Sequence, residues 1–294
     1  MYRVVETITS HTCLGIRFWD PVAGDFVRDD LRVTARSVTE PRQVITAFRT
    51  PSFVYAFKGL SGLRSIENGS VQGDPVASPP VQKRFVVEVQ DQGGRYVDVG
   101  FSVDLPLPYS GLYLSNQPVS PPQFIPKGFN LYSTVMRTPP PMIVSVRGEL
   151  YDISSEQPAA HAMVCVHTED GFHWYGLADA QGRCVTLMPY PTLVDGIGGS
   201  PAASHRKLLY EQTWQLSVEV LYAPDQVQPL PCSALKEYSS VLNQPRAQIW
   251  PVGPEDGGAP VDLENIQLNF GKDVILKTAG FSKLMVSPAA SPPS

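Results

Sequence analysis

Side chains with metal-binding atoms recur at every second position in one short stretch: His161, Met163, Cys165 and His167. Alternate residues of an extended strand share a face, so imidazole, thioether and thiol line up on one side, with Ala162, Val164 and Val166 on the other. Soft nitrogen and sulfur donors of this kind suit copper or zinc. A straight strand sets its donors in a row and does not wrap them around an ion, so a site needs ligands from elsewhere. His173, in the run from Gly171 to Gly176, is the obvious extra candidate, but that run reads equally well as a hairpin carrying aromatics. On this spacing the plain reading prevails, and no metal ligand is assigned.

Nucleophilic chemistry has less support. No Gly-x-Ser-x-Gly elbow occurs, and Tyr109-Ser110-Gly111 lacks the preceding glycine that would present Ser110 on a strained turn. The metalloprotease His-Glu-x-x-His, the phosphate-cradling Gly-x-x-x-x-Gly-Lys and the dinucleotide Gly-x-Gly-x-x-Gly are absent. The glycines from Gly196 to Gly199 have no Lys-Ser/Thr after them and read as a loop, and the pairs Asp29-Asp30 and Glu255-Asp256 lie in turn-like sequence. The chain is therefore read as a non-enzyme with no catalytic residue and no cofactor. What remains are surfaces. Phe172, Trp174 and Tyr175 crowd one hairpin, and Trp250 stands before Pro251. Aromatics dominate interfaces, so these four are candidate interface anchors, with filling of a core as the equal alternative.

The elements that must position these residues are strands. The 294 residues include 29 prolines and 23 glycines, proline at about twice its ordinary usage of about 5%, which disfavours long helices. Hydrophobic residues are 43% and charged residues only 17%, which leaves ample material for a core. Leu31, Val33 and Ala35 alternate with polar neighbours, as do Phe85, Val87 and Val89, and Leu216, Val218 and Val220, the period of half-buried strands. Structural turns are placed at Asp20 with Gly24, Asp91 with Gly94, Asp152, and Asp179 with Gly182. There an aspartate accepts backbone N–H groups and glycine takes angles that other residues resist. The best helix candidate is Cys232 to Leu242, with Ser233 as its cap, and a weaker one covers Ala202 to Glu211.

The expected fold is mainly β: two antiparallel β-sandwich domains joined by a Pro-rich connector, with one or two short helices. Proline clusters set the borders: an N-terminal domain over 1–114, an extended connector over 115–141, a C-terminal domain over 142–286 and a flexible tail over 287–294. A further loop spans Ser70 to Pro80. The net charge of −5, without a basic run, gives phosphate backbones nothing to condense on. No apolar run approaches the roughly 18 residues of a membrane span, and no signal peptide is read, so synthesis in the cytoplasm is expected. The four cysteines, Cys13, Cys165, Cys184 and Cys232, lie far apart and read as buried free thiols.

A quiet internal repeat aligns Ile16–Ala35 with Val146–Val166. In both, an aromatic-Asp pair (Trp19-Asp20, Tyr151-Asp152) closes a strand, a small or apolar residue (Val27, Ala159) follows, and an alternating strand then begins. The second copy, with Pro158-Ala159-Ala160, Ala162 to Val166, Leu177 to Arg183 and Leu187-Met188-Pro189, resembles the carboxypeptidase regulatory-like, transthyretin-like sandwich over roughly Met142 to Tyr222. That resemblance implies a fold and not a reaction.

A broader resemblance rests on Arg84 to Val89, Asp91, Gly94, Phe101 to Pro106, Gly128 to Ser133, Met188 to Pro191, Gly271 to Gly280 and Leu284 to Pro288. In these the chain is similar to proteins encoded with phage-tail-like contractile injection systems. It implies a structural or assembly component of such a particle, which can be released, with sheath, tube, cap or baseplate proteins as partners and no nucleic acid. The rival reading is a sandwich that binds a glycan or a peptide.

Overall fold

A computed structural model describes residues 12–63, 82–107, 112–113, 128–192, 209–254 and 257–289. The loop at 70–80, the connector over 115–127, Ser110, the glycines at 196–199, residues 202–208 of the weaker helix candidate, the Glu255-Asp256 pair and the tail from 290 lie outside them.

The chain is mainly β; the described residues form several antiparallel-rich sheets with one α-helix and no barrel. The first half supplies β1 (Gly15–Asp20), β2 (Asp25–Phe26), β3 (Leu31–Ser37), β4 (Val44–Thr46), β5 (Phe48–Arg49), β6 (Val54–Ala56), β7 (Lys83–Asp91), β8 (Val99–Leu105), β9 (Leu112–Tyr113) and β10 (Phe129–Asn130). The second half supplies β11 (Ile143–Asp152), β12 (Gln157–Pro158), β13 (Met163–Thr168), β14 (His173–Leu177), β15 (Arg183–Pro189) and β16 (Thr213–Leu221). Helix α1 (Tyr238–Leu242) follows, then β17 (Gln248–Trp250), β18 (Leu263–Asn269), β19 (Val274–Leu276) and β20 (Leu284–Ser287).

Each half folds into two sheets over its own apolar cluster, and the halves share one pairing scheme around β1 and β11, with β5 added on β6 in the first and β17 on β20 in the second. In the first, the sheet β4-β3-β7-β8 faces a sheet built around β1. In the second, β14-β13-β16-β18 faces a sheet built around β11. β1 pairs antiparallel with β6 and β2, and in parallel with β9 and β10. β11 pairs antiparallel with β15 and β12, and in parallel with β19 and β20. The register repeats too. Phe18 faces Phe129 as Leu150 faces Leu284, and Ile16 faces Tyr55 as Gly148 faces Cys184. The Val27 amide donates to the Phe18 carbonyl at 3.0 Å, and the Ala159 amide to the Leu150 carbonyl at 3.0 Å. The short repeat in sequence is thus the visible part of a repeat spanning both sandwiches.

Alternation explains the cores. Leu31, Val33, Ala35, Phe85, Val87 and Val89 are buried in the first cluster with Phe18, Phe101 and Phe129. Val164, Val166, Leu216, Val218 and Val220 are buried in the second.

Several expectations need correction. Residues 128–137 are integral to the first sandwich and do not serve as a free connector. Phe129, Leu131 and Tyr132 are buried in its cluster, and Arg137 reaches back to Asp20. The candidate helix is helical only from Tyr238, with Glu237 at its N-cap position. Ser233 instead closes a tighter turn, accepting the Leu235 N–H at 3.0 Å. Ser287, placed in the tail, ends β20 and is buried. All four cysteines are free thiols, but Cys232 is exposed, because it sits in the turn before the helix with φ of 58°. Of the weaker helix candidate, Leu209–Glu211 forms a single 3-10 turn.

Candidate functional site

The outer face of the β14-β13-β16 sheet is the place where the two sandwiches meet. Its side chains stand in cross-strand rows fixed by register: Leu177, Met163 and Leu221, then Tyr175, Cys165 and Glu219, then His173, His167 and Ser217. The first row, with Tyr175, packs against the first sandwich's cluster. The inner face of the same strands, with Val164, Val166 and Trp174, packs against the second cluster. The third row runs out from under the interface, so its imidazoles are only half-buried.

At this rim the donor atoms of Cys165, His167 and His173 all lie within 4.8 Å of one another. The two imidazoles meet edge to face, with ring centroids 4.4 Å apart. Glu219 Oε1 lies 3.6 Å from His167 Nε2, and Arg246 Nη2 lies 3.3 Å from the same carboxylate oxygen and 2.9 Å from Asp262 Oδ1. Burial lowers the His167 pKa against the opposing pull of Glu219, favouring the neutral ring. Burial also pushes the Cys165 thiol up to about 12, so the sulfur is protonated at neutral pH. Beside this cluster, residues 246–249 and 260–262 line a groove of about 250 Å³, below the roughly 300–1,000 Å³ of small-molecule sites.

His161 takes no part in this arrangement. It precedes β13 in a turn with φ of 62°, and its carbonyl accepts from Gln244 Nε2 at 2.8 Å. Met163 is also removed, because it is buried in the first cluster. The structure therefore splits the alternating set and replaces its lost members with His173 and Glu219 from the neighbouring strands. Sequence reading missed Glu219. Its signal is a single acid within the apolar alternation of β16.

A second contact adjoins the first in the same cluster. The segment between β16 and β17 crosses to the first sandwich, where Glu237 Oε2 accepts the Ser102 N–H at 3.0 Å and the Ser102 hydroxyl at 2.7 Å. Tyr238 stacks on Phe129 at 4.5 Å, and Phe129 stacks on Phe101 at 4.7 Å. The Tyr238 hydroxyl donates to the Asn130 carbonyl at 2.8 Å. Gly100 makes the approach possible, since a Cβ there would stand 2.7 Å from Leu230 and 3.2 Å from Leu235.

The four candidate interface aromatics are all half-buried. Trp174 and Tyr175 point to opposite clusters, the carbonyl of Phe172 accepts the Thr168 N–H at 3.1 Å, and the Trp250 indole donates to Ser287 Oγ at 3.1 Å. The turn residues are local brackets. Asp20 accepts the N–H groups of Val22 and Ala23, Asp91 those of Gly93, Arg95 and Tyr96, Asp152 that of Ser154, and Asp179 those of Gln181 and Arg183. Gly24, Gly94 and Gly182 have positive φ, and at Gly182 a Cβ would also meet the Leu150 carbonyl oxygen at 2.4 Å. Asp20 and Asp152 do more than turn the chain: each is buried and accepts a tyrosine hydroxyl from a distant segment, Tyr96 of the β7–β8 connection at 2.8 Å and Tyr222 just after β16 at 3.2 Å.

No protein family and no curated protein matches this chain. Among solved structures, the shaft pilin SpaA from Lactobacillus rhamnosus GG is 8% identical over 97% of this chain and 100% of that one, with a TM-score of 0.23. The C-terminal fragment of the pilus adhesin SpaC from the same organism is 11% identical over 95% and 100%, with a TM-score of 0.21. Scores this low mark no shared overall geometry. Among the described residues, no helix is long and apolar enough to cross a membrane.

Proposed function

We propose that this chain is a non-enzymatic structural component of a phage-tail-like contractile injection particle. In this reading it is a two-module spacer that holds neighbouring subunits at a set separation. The modules are the first sandwich, extended through Arg137, and the second, from 142 to the end of β20. The observation that carries the reading is the double fastening between them: one face of the β14-β13-β16 sheet and the bracket at Glu237 and Tyr238 fix each module against the other. A pair so held transmits position as one body, which suits mechanical work better than hinged ligand capture. Trp174 and Tyr175, two of the hairpin aromatics on which a glycan- or peptide-binding role would rest, pack against the two clusters.

The particle assignment comes from the sequence resemblance, and the carboxypeptidase regulatory-like reading of the second module fits a rigid spacer. Its partners would be sheath, tube, cap or baseplate subunits, and it would leave the cell with the particle. Mass spectrometry of particle fractions from the native source, with the protein tagged, tests this. Co-sedimentation in fixed ratio with sheath and tube proteins is expected. A protein found only in the soluble fraction overturns the assignment.

A further inference from the structure

We propose that Cys165, His167 and His173 bind a zinc ion at the rim of the module interface, with Glu219 as the fourth ligand. Three strands converge on this spot, which answers the objection that one strand cannot surround an ion. β13 gives the thiol and one imidazole, β14 the second imidazole directly across from the first, and β16 the carboxylate directly across from the thiol. Zn–N bonds of about 2.0 Å and a Zn–S bond of about 2.3 Å put tetrahedral ligand atoms roughly 3.3–3.8 Å apart. The three donors already lie within 4.8 Å of one another, and Glu219 Oε1 stands 3.6 Å from His167 Nε2.

His167 supplies an independent observation. Its Nε2 is buried and makes no hydrogen bond, and the nearest carboxylate oxygen, on Glu219, stands at 3.6 Å, beyond hydrogen-bonding reach. Buried nitrogens are rarely left without a partner. A metal at this spot supplies one to His167, while Glu219 already has Arg246 beside it.

The donor set selects the ion. Thiolate and imidazole favour zinc over magnesium or calcium, which require oxygen ligands. Arg246 opposes a cation here, and its charge is answered by Asp262 as well as Glu219. Cys165 is a thiol when metal-free, so zinc displaces its proton to solvent on binding. The site is independent of particle membership and can fail or stand without it.

The test uses the untagged full chain, stripped with a chelator and titrated with zinc chloride against a chromophoric competitor. One equivalent is expected to bind. His173→Ala should lower the affinity by more than about 100-fold, since loss of an outer-shell partner alone costs 10–100-fold, while Cys232→Ser should leave it unchanged. Cobalt in place of zinc should show a thiolate-to-metal charge-transfer band that Cys165→Ser abolishes. His173 is half-buried and sits in a hairpin, so His173→Ala keeps the fold, as circular dichroism will verify. Failure to bind one equivalent, or undiminished affinity in His173→Ala, overturns the site.

Discussion

Asp20 and Asp152 close the same corner in the two sandwiches, but only Asp20 carries a buried counter-charge among its described contacts. Arg137 Nη2 donates to Asp20 Oδ2 at 2.6 Å and Nη1 to Oδ1 at 3.1 Å, with both side chains 3% exposed. Burial by itself would raise the Asp20 pKa. The Arg137 hydrogen bonds and charge, with help from Tyr96 and Ala23, outweigh it and bring the folded value below the ordinary one. The folded carboxyl thus ionises more readily than the unfolded one, which titrates near about 3.9. The group stabilises the fold above about pH 4, and that contribution is lost as pH falls through the lower folded value. Arg137→Met strands the carboxylate and should cost about 3–5 kcal/mol at neutral pH, read as a lower urea midpoint with unchanged slope. Below about pH 4 the gap to wild type should narrow. The Asp20 turn was legible in sequence because its partners follow within a few residues. Arg137 was not, because it lies 117 positions away beside a run of prolines that marks only extended chain.

At the scale of elements, strand period and turn chemistry carried the reading, since they act between near neighbours. The helix shows where that fails. Leu235, Tyr238 and Leu242 have helical spacing, yet Leu235 is drawn out of the helix to lie against Gly100. Its fate was decided by a glycine on a distant strand. The metal-binding cluster was partly legible for the same reason: alternation placed Cys165 with His167 and the hairpin reading offered His173, while Glu219 arrives through a strand pairing that no local pattern states. Gly100→Val tests the bracket. The added methyls would collide with Leu230 and Leu235 and lift Glu237 from Ser102. A loss of about 1–3 kcal/mol is expected, together with faster hydrogen exchange at the Ser102 amide.

At the scale of the whole molecule, the two clusters are separate in sequence but joined by Met163, Leu177, Tyr238, Val241 and Leu242, which the second half contributes to the first cluster. Opening either sandwich exposes these residues, so calorimetry should record one transition with equal calorimetric and van't Hoff enthalpies; two resolved transitions would show the interface to be weak. The sequence pattern could mark two units, but not that they stabilise each other, because the contacts run between faces and not along the chain. The shared pairing scheme has a further mechanical meaning. In each sandwich the opening strand lies parallel to the closing one, β1 beside β10 and β11 beside β20. Tension between the start of one and the end of the other therefore runs along the strands, straining their hydrogen bonds in shear all at once instead of peeling them apart singly. Two such joints in series would let the chain bear a sudden axial load.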